Sequence, residues 1–387
     1  MTKKSTKASS PKPQVTRVDR RNLLRGLGAV GAATALAACS DSSNADCAVV
    51  DGGNTLAKKR SLKMVTSWPK NFPGLGTGAN RVAARIKEMS GGMIDIKVYA
   101  GGELVGALGA FDAVSEGKAD MYHSADYYWQ GKSQAFNFFA AVPFGMNGHE
   151  MSAWIQQGGG QELWDKLSGS FNIKPLMVGN TGVQMGGWYK RDINTLDDFQ
   201  GLRIRMPGLG GAVMDKLGAT PVTKPGSELF QALSQGNIDA TEWIGPWNDL
   251  AFGFHTIVKN YYYPGIHEPG ANLTLGLNLE LWDDLSDEEQ AIFAAAAAEE
   301  HGRSRAEFDA QNARALATLV EEHDVQLKTF SDDILRRMKV VAEEVLTETA
   351  KADASTNEIY QSYTSFMKSF KGWNAISEQA YARARDL

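Results

Sequence analysis

The chain has 387 residues with 40 basic and 45 acidic side chains, a formal net charge of −5, and two cysteines. The first 39 residues hold eight of the basic residues and one acidic residue, so the remainder carries a formal charge of −12, a surface that repels nucleic acid. Residues 61–387 contain no cysteine, which excludes disulfides, thiolate metal sites and cysteine catalysis from the body of the protein.

The N-terminus reads as an export signal. Residues 1–14 are polar and lysine-bearing, and Asp19-Arg20-Arg21-Asn22-Leu23-Leu24-Arg25 then sets paired arginines ahead of aliphatic residues. A weakly apolar stretch from Gly26 to Ala38 ends in Leu36-Ala37-Ala38-Cys39. A cationic part, a short apolar part and small residues before a cleavage point are the three parts of a secretory signal. The arginine pair and the Gly/Ala-rich core favour the twin-arginine route. At about 13 residues the apolar run is too short to span roughly 30 Å of hydrocarbon. Leu36-Ala37-Ala38-Cys39 also reads as a lipobox in which Cys39 is lipidated; plain cleavage there is the alternative. Residues 40–60, rich in Ser, Asp, Asn and Gly, read as a flexible tether, with Cys47 inside it. The roughly 330 residues that follow exceed one comfortable core and favour two lobes.

Ser61 to Trp68 alternates as a strand and breaks at Pro69 and Pro73. Ala79 to Met89 has helical spacing, Ile94 to Ala100 alternates cleanly, a helical segment runs to Gly117, and Ala119 to Ser124 is a strand. Strand, helix, strand in this rhythm predicts a parallel sheet covered by helices. A second set starts near Gln184. It contains the strand Leu202 to Met206 stopped by Pro207, a helix from about Gly210, the strand Thr220 to Thr223, a helix from Ser227, and the strand Ile238 to Glu242. Ser286-Asp287-Glu288-Glu289 is a capping box, and helical periodicity then runs to about Glu322. That is on the order of 55 Å, longer than one lobe, so this helix is expected to brace both. Helical patterns continue from Ser331 to Lys351 and from Glu358 to the end. The terminal helix is amphipathic and is read as packing on its own body or on a partner subunit, as a homodimer contact.

The domain reading is therefore an export signal at 1–39, a tether at 40–60, and a first lobe with helical parts at 61–183. A second lobe follows at 184–275, and the spanning helix with the C-terminal helices fills 276–387. The fold class is α/β.

Motifs that carry chemistry are few. The histidines at 123, 149, 255, 267, 301 and 323 show no paired metal-site spacing and are read singly as surface or core residues. Gly74-Leu-Gly76-Thr-Gly78 lacks the dinucleotide spacing, and no Gly-x-Ser-x-Gly occurs. Three segments place polar groups in apolar, strand-like runs. Gly179-Asn180-Thr-Gly-Val-Gln184-Met-Gly-Gly-Trp188 offers amides among glycines that let a ligand approach the backbone. Gly201-Leu-Arg203-Ile-Arg205-Met-Pro207 puts two arginines on one strand face, and a guanidinium at a strand's C-terminal edge grips a carboxylate in two-pronged fashion. Asp239-Ala-Thr-Glu242-Trp243-Ile-Gly-Pro-Trp247-Asn248 sets a carboxylate beside aromatics, followed by Tyr261-Tyr-Tyr-Pro-Gly-Ile-His-Glu268.

A string of further motifs carries a family resemblance. Ala119-Asp-Met, Thr195-Leu-Asp-Asp-Phe-Gln-Gly-Leu-Arg-Ile-Arg-Met-Pro207, Gly218-Ala-Thr-Pro-Val222, Leu229-Phe-Gln-Ala-Leu-Ser-Gln-Gly-Asn-Ile-Asp-Ala240 and Trp282-Asp-Asp-Leu-Ser286 occur in this order. Together they resemble the solute receptors of tripartite ATP-independent periplasmic (TRAP) transporters. The resemblance implies a two-lobed periplasmic-binding-protein fold. It also implies a receptor that catalyses nothing and delivers a small organic acid to membrane permease subunits. Within that family the Gln184 and Glu242 segments look most like receptors for 2-oxo acids (pyruvate among them) and lactate. Arg205 then corresponds to the carboxylate-binding arginine, with Arg203 outside the site. Asn180 and Tyr127 (or its neighbour Tyr128) would be further ligand contacts. Gln184, Glu242, the Trp243 carbonyl and Glu268 would be oxygen ligands of a bridging cation, Na⁺ or Ca²⁺. A receptor for a dicarboxylate or sugar acid without a metal is the alternative, and a twin-arginine-exported enzyme is a remote one.

Overall fold

The structure, a computed structural model, describes residues 58–387. The export signal, Cys39, Cys47 and most of the tether lie outside the described residues.

Among the described residues there are eleven strands: β1 (Arg60–Thr66), β2 (Ile94–Tyr99), β3 (Met121–Ser124), β4 (Ile173–Asn180), β5 (Gly187–Tyr189), β6 (Arg203–Arg205), β7 (Thr220–Val222), β8 (Ala240–Thr241), β9 (Asn260–Tyr263), β10 (Asn272–Asn278) and β11 (Gln326–Thr329). They form two sheets, ordered β2-β1-β3-β10-β4 and β11-β9-β5-β8-β6-β7. In the first sheet β1 pairs in parallel with β2 (Met64 opposite Val98) and with β3 (Met64 opposite Met121), as the strand–helix–strand rhythm requires. The helix Gly76–Met89 covers this sheet through Ala79, Val82, Ala83 and Ile86, spaced at 3.6-residue periodicity.

Both sheets are mixed, where the sequence rhythm predicts parallel pairing. β10 runs antiparallel to β3 and β4, and β5 runs antiparallel to β8 and β9. A strand that comes back from the other lobe through a short loop needs no helical crossover and enters antiparallel. All seven residues of β10 are buried, as suits the second-innermost strand of a covered sheet. Its polar ends are satisfied locally: Asn272 Nδ2 donates to the Phe139 carbonyl and Asn278 Nδ2 to the Val114 carbonyl.

Neither sheet is one continuous stretch of chain. The segment after β4 leaves the first sheet for the second, the segment after β9 returns to β10, and the chain leaves again to place β11 beside β9. These crossings hold Gln184 on one and His267 and Glu268 on another. Arg205 ends β6, and Glu242 with Trp243 follows β8 directly. The sequence at the strand ends and crossings therefore converges between the sheets.

The helix Asp287–Glu321 begins with the expected cap: Ser286 accepts from the Glu289 N–H, and the Glu289 carboxylate accepts from the Ser286 N–H at 3.0 Å. It packs on β4 and on the helix Gly76–Met89 of the first lobe and on the helix Pro246–Phe252 of the second. It thus braces both lobes. The C-terminal helix Ala354–Ile376 packs on the first lobe through Ile359 and Tyr363, whose hydroxyl accepts from the Met146 N–H at 2.7 Å. The helical pattern then breaks at Ser377 before a last helix, Glu378–Arg385.

Candidate functional site

Two arginines leave β6 on the same face, and the sheet separates their fates. Arg203 is half exposed and forms a two-pronged pair with Asp239 at 2.6 and 2.8 Å. Arg205, two residues nearer the C-terminal edge, is 1% exposed. Its Nη1 donates to Glu242 Oε1, and its Nε donates to the Lys224 carbonyl at 3.2 Å. Among the described residues Nη2 has only the Tyr128 hydroxyl, at 3.4 Å. The Trp243 ring lies 4.9 Å from the guanidinium, a cation–π contact. Burial is the largest influence and works against the charge of Arg205, but Glu242, the Tyr128 and Tyr127 phenols and Glu268 together outweigh it and hold its pKa above the usual arginine value.

Glu242 is fully buried, and its second oxygen lies 3.2 Å from His267 Nε2. Glu268, also buried, accepts from Gln184 Nε2 at 2.8 Å, and the same amide donates to Thr181 Oγ1 at 3.1 Å. Ligand atoms of Glu242, His267 and Glu268 all lie within 4.8 Å of one another. Burial, and then the neighbouring Glu242, push the Glu268 pKa well above the ordinary carboxylate range, with Arg205 opposing the shift.

Two buried oxygens here accept nothing from the protein. Gln184 Oε1 has no hydrogen-bond partner among the described residues. Among the described residues the Trp243 carbonyl also accepts no hydrogen bond, whereas those on either side do. The Glu242 carbonyl accepts from Thr241 Oγ1 at 3.1 Å, and the Ile244 carbonyl accepts from the Met185 N–H at 2.9 Å. Buried acceptors without donors are uncommon and destabilising unless something else satisfies them. Oxygen acceptors beside two carboxylates are the donor set of a hard cation such as Na⁺ or Ca²⁺.

Of these groups Gln184 and Trp243 line a cavity of about 10 Å³ walled by both lobes, with Trp68, Leu75, Tyr127 and Leu273 on the first-sheet side and Ile244 beside Trp243 on the second. Beside the Trp243 ring Phe72 stacks on Phe252 at 4.4 Å, and Asn248 Nδ2 donates to the Pro73 carbonyl at 3.1 Å. Of the residues expected from sequence, Arg205, Gln184, Glu242, Glu268, Trp243 and Tyr127 come together. Asn180 does not line the cavity. Its Oδ1 accepts from the Gly182 N–H at 2.9 Å, and its side chain lies so close to Gly148 that a Cβ there would meet it at 2.4 Å. It shapes the crossing that carries Gln184. Sequence reasoning missed His267, whose usable signal was its place directly before Glu268 in a loop flanked by prolines.

Residues 64–353 match the family of bacterial extracellular solute-binding proteins numbered family 7. The chain belongs to that family. It is 38% identical to a monocarboxylate 2-oxoacid-binding periplasmic protein of Nostoc sp. (strain PCC 7120), over 94% of this chain and 97% of the relative. Two solved structures are similar to this family 7 protein at a TM-score of 0.82 each. One is a TRAP periplasmic solute-binding protein of Pseudoalteromonas atlantica with bound sodium and pyruvate (37% identity, 84% of this chain, 99% of that chain). The other, from Colwellia psychrerythraea, holds calcium and pyruvate (38% identity, 84% of this chain, 100% of that chain). None of the described helices is long and apolar enough to cross a membrane.

Proposed function

We propose that this family 7 protein is the receptor of a TRAP transporter and binds a short 2-oxo or 2-hydroxy monocarboxylate, such as pyruvate or lactate, together with Na⁺ or Ca²⁺. The observation that carries the reading is the pairing of a buried arginine having one lightly used nitrogen with two buried carboxylates and two unpartnered oxygens. Arg205 takes the ligand carboxylate through Nη2. The Glu242 and Glu268 carboxylates, Gln184 Oε1 and the Trp243 carbonyl would hold the cation, which supplies positive charge to the carboxylate and 2-oxo oxygens when bound. The charge count favours this arrangement. Arg205 balances Glu242, and Glu268 is pushed toward its neutral form, so an acid anion entering alone would bring uncompensated negative charge into a buried site. The apolar walls at Leu75, Ile244 and Leu273 keep the acid short.

Both lobes touch the cavity, so a ligand held there favours the conformation in which they meet, and membrane permease subunits would recognise that conformation. The route into the periplasm proposed here is the twin-arginine signal of residues 1–39, with Cys39 as a lipid anchor. We also propose that copies of the chain pair through the C-terminal helices, because Trp373, Ile376 and Tyr381 are all more than 60% exposed there. Light scattering of the mature protein at several concentrations tests that pairing.

A thermal-shift panel tests the cargo. Pyruvate, longer 2-oxo acids, lactate, succinate and a sugar acid are each added with Na⁺, with Ca²⁺ and with chelator. A ligand that binds only the folded state raises the melting temperature. The expected result is a cation-dependent rise with 2-oxo or 2-hydroxy monocarboxylates. A rise with succinate or the sugar acid alone, indifferent to cation, would overturn the cargo and the cation site together.

A further inference from the structure

The peptide unit between Trp243 and Ile244 has an unpartnered carbonyl at one end. At its other end the Ile244 N–H faces Asp249 Oδ1 at 3.4 Å. Asp249 is 1% exposed and sits in the first turn of the helix Pro246–Phe252. Its other oxygen accepts from Trp188 Nε1 at 3.0 Å and from the Tyr261 hydroxyl at 2.6 Å. Trp188 and Tyr261 are opposite residues on β5 and β9 with rings stacked at 4.0 Å, so the second sheet fixes this carboxylate. None of its hydrogen-bond partners is a cation. A buried carboxylate without a countercharge is destabilising, and an asparagine would fill the same space.

We infer that Asp249 is the positioning residue for the Trp243 carbonyl, aiming it toward the cation site and strengthening it as a ligand by charge. This rests on the reading, given above, that the carbonyl is a cation ligand. The peptide is planar and trans, so its N–H and C=O point in opposite directions, and an N–H drawn toward Asp249 turns the oxygen away from it. At 3.4 Å the contact is long for a hydrogen bond, so the electrostatic part dominates. A fixed negative charge behind the N–H polarises the peptide and leaves more negative charge on the oxygen. Carboxylates behind metal-ligating histidines act in the same way, through the ligand rather than on the metal. Burial, opposed by the Tyr261 and Trp188 bonds, raises the Asp249 pKa to about 7, so assays belong at pH 8, where it is charged.

The test is calorimetric titration of the full mature protein with Ca²⁺ alone, then with pyruvate at saturating Ca²⁺, for wild type, Asp249→Asn, Tyr261→Phe and Glu242→Gln. Asp249→Asn should weaken Ca²⁺ binding by roughly 10- to 100-fold while pyruvate affinity at saturating Ca²⁺ changes little and the melting temperature does not fall. Tyr261→Phe, which removes a bond that holds the Asp249 pKa down and so leaves the carboxylate in place but less fully charged, should weaken Ca²⁺ binding less and in the same direction, and stands in if Asp249→Asn does not fold. Wild-type Ca²⁺ affinity in Asp249→Asn, alongside its loss in Glu242→Gln, overturns this inference and leaves the cation site intact. Ca²⁺ affinity, pyruvate affinity and melting temperature falling together would reduce Asp249 to a structural role. A wild type that takes pyruvate and never Ca²⁺ or Na⁺ overturns the cation site, and this inference with it.

Discussion

Two buried arginine–glutamate pairs in this protein look alike in outline and differ in what they leave over. Arg60 at the start of β1 is held tightly, with all three nitrogens bonded at 2.8 Å or less. Nε and Nη2 grip the two oxygens of Glu289 at 2.7 and 2.8 Å, Nη1 takes Asp284 Oδ2 and Nη2 also takes the Asp284 carbonyl, both at 2.7 Å. That arrangement pins the long helix to the first sheet and has no capacity for a ligand. Arg205 is more deeply buried, yet Nη2 reaches only a distant phenol, and a second carboxylate and two unpartnered oxygens stand beside it. A buried ion pair whose nitrogens are all held by short bonds to the protein is structure. One with donors and acceptors to spare is poised for something else.

Exchanging the two pairs' side chains for alanine separates the roles. Arg205→Ala leaves Glu242 uncompensated and should remove about 3–5 kcal/mol of acid binding, a Kd rise of roughly two to three orders of magnitude by titration calorimetry. Arg60→Ala should lower unfolding stability by about 3 kcal/mol in a denaturant melt while leaving affinity for the acid unchanged. Near-wild-type affinity in the first variant, or lost affinity in the second, would break the comparison.

Asp249 sharpens it through pH. Its folded pKa of about 7 lies above the unfolded value of 3.8, so folding takes up a proton. The resulting loss of stability is absent below the unfolded value, grows as pH rises toward 7, and is complete above it. Relative to wild type, Asp249→Asn should therefore gain about 2 kcal/mol more at pH 8 than at pH 5, measured by melts at both. The smallest effect is expected at Arg203, whose pair with Asp239 is half exposed: Arg203→Ala should change stability by less than about 1 kcal/mol and leave binding unaltered.

Legibility in the sequence followed locality. The long helix was readable because its cap, Ser286 to Glu289, and its periodicity lie within the segment itself. Arg205 was readable from a strand ending at Pro207. β10 went unread although Asn272-Leu-Thr-Leu-Gly-Leu-Asn278 alternates, because its partners β3 and β4 lie about a hundred residues or more away and its polar positions find partners only in the fold. β11 is four mostly exposed residues and carries too little pattern to be seen. In the site, Gln184, Glu242 and Glu268 come from three separate chain crossings and strand ends, and the family resemblance rather than spacing linked them. Asn180 stands on the crossing that carries Gln184, against Gly148, and its Nδ2 has no hydrogen-bond partner among the described residues. His267 was marked only by its place before Glu268, and Asp249, which touches the Ile244 N–H rather than the cavity, by no local pattern at all.

If acid and cation share one site at Arg205, Glu242, Glu268 and Gln184, each should depend on the other. Pyruvate is titrated into metal-stripped protein, and again after adding Ca²⁺. Weak or no heat is expected without cation, and tight one-to-one binding with it. Equal affinity in both titrations would contradict the shared site.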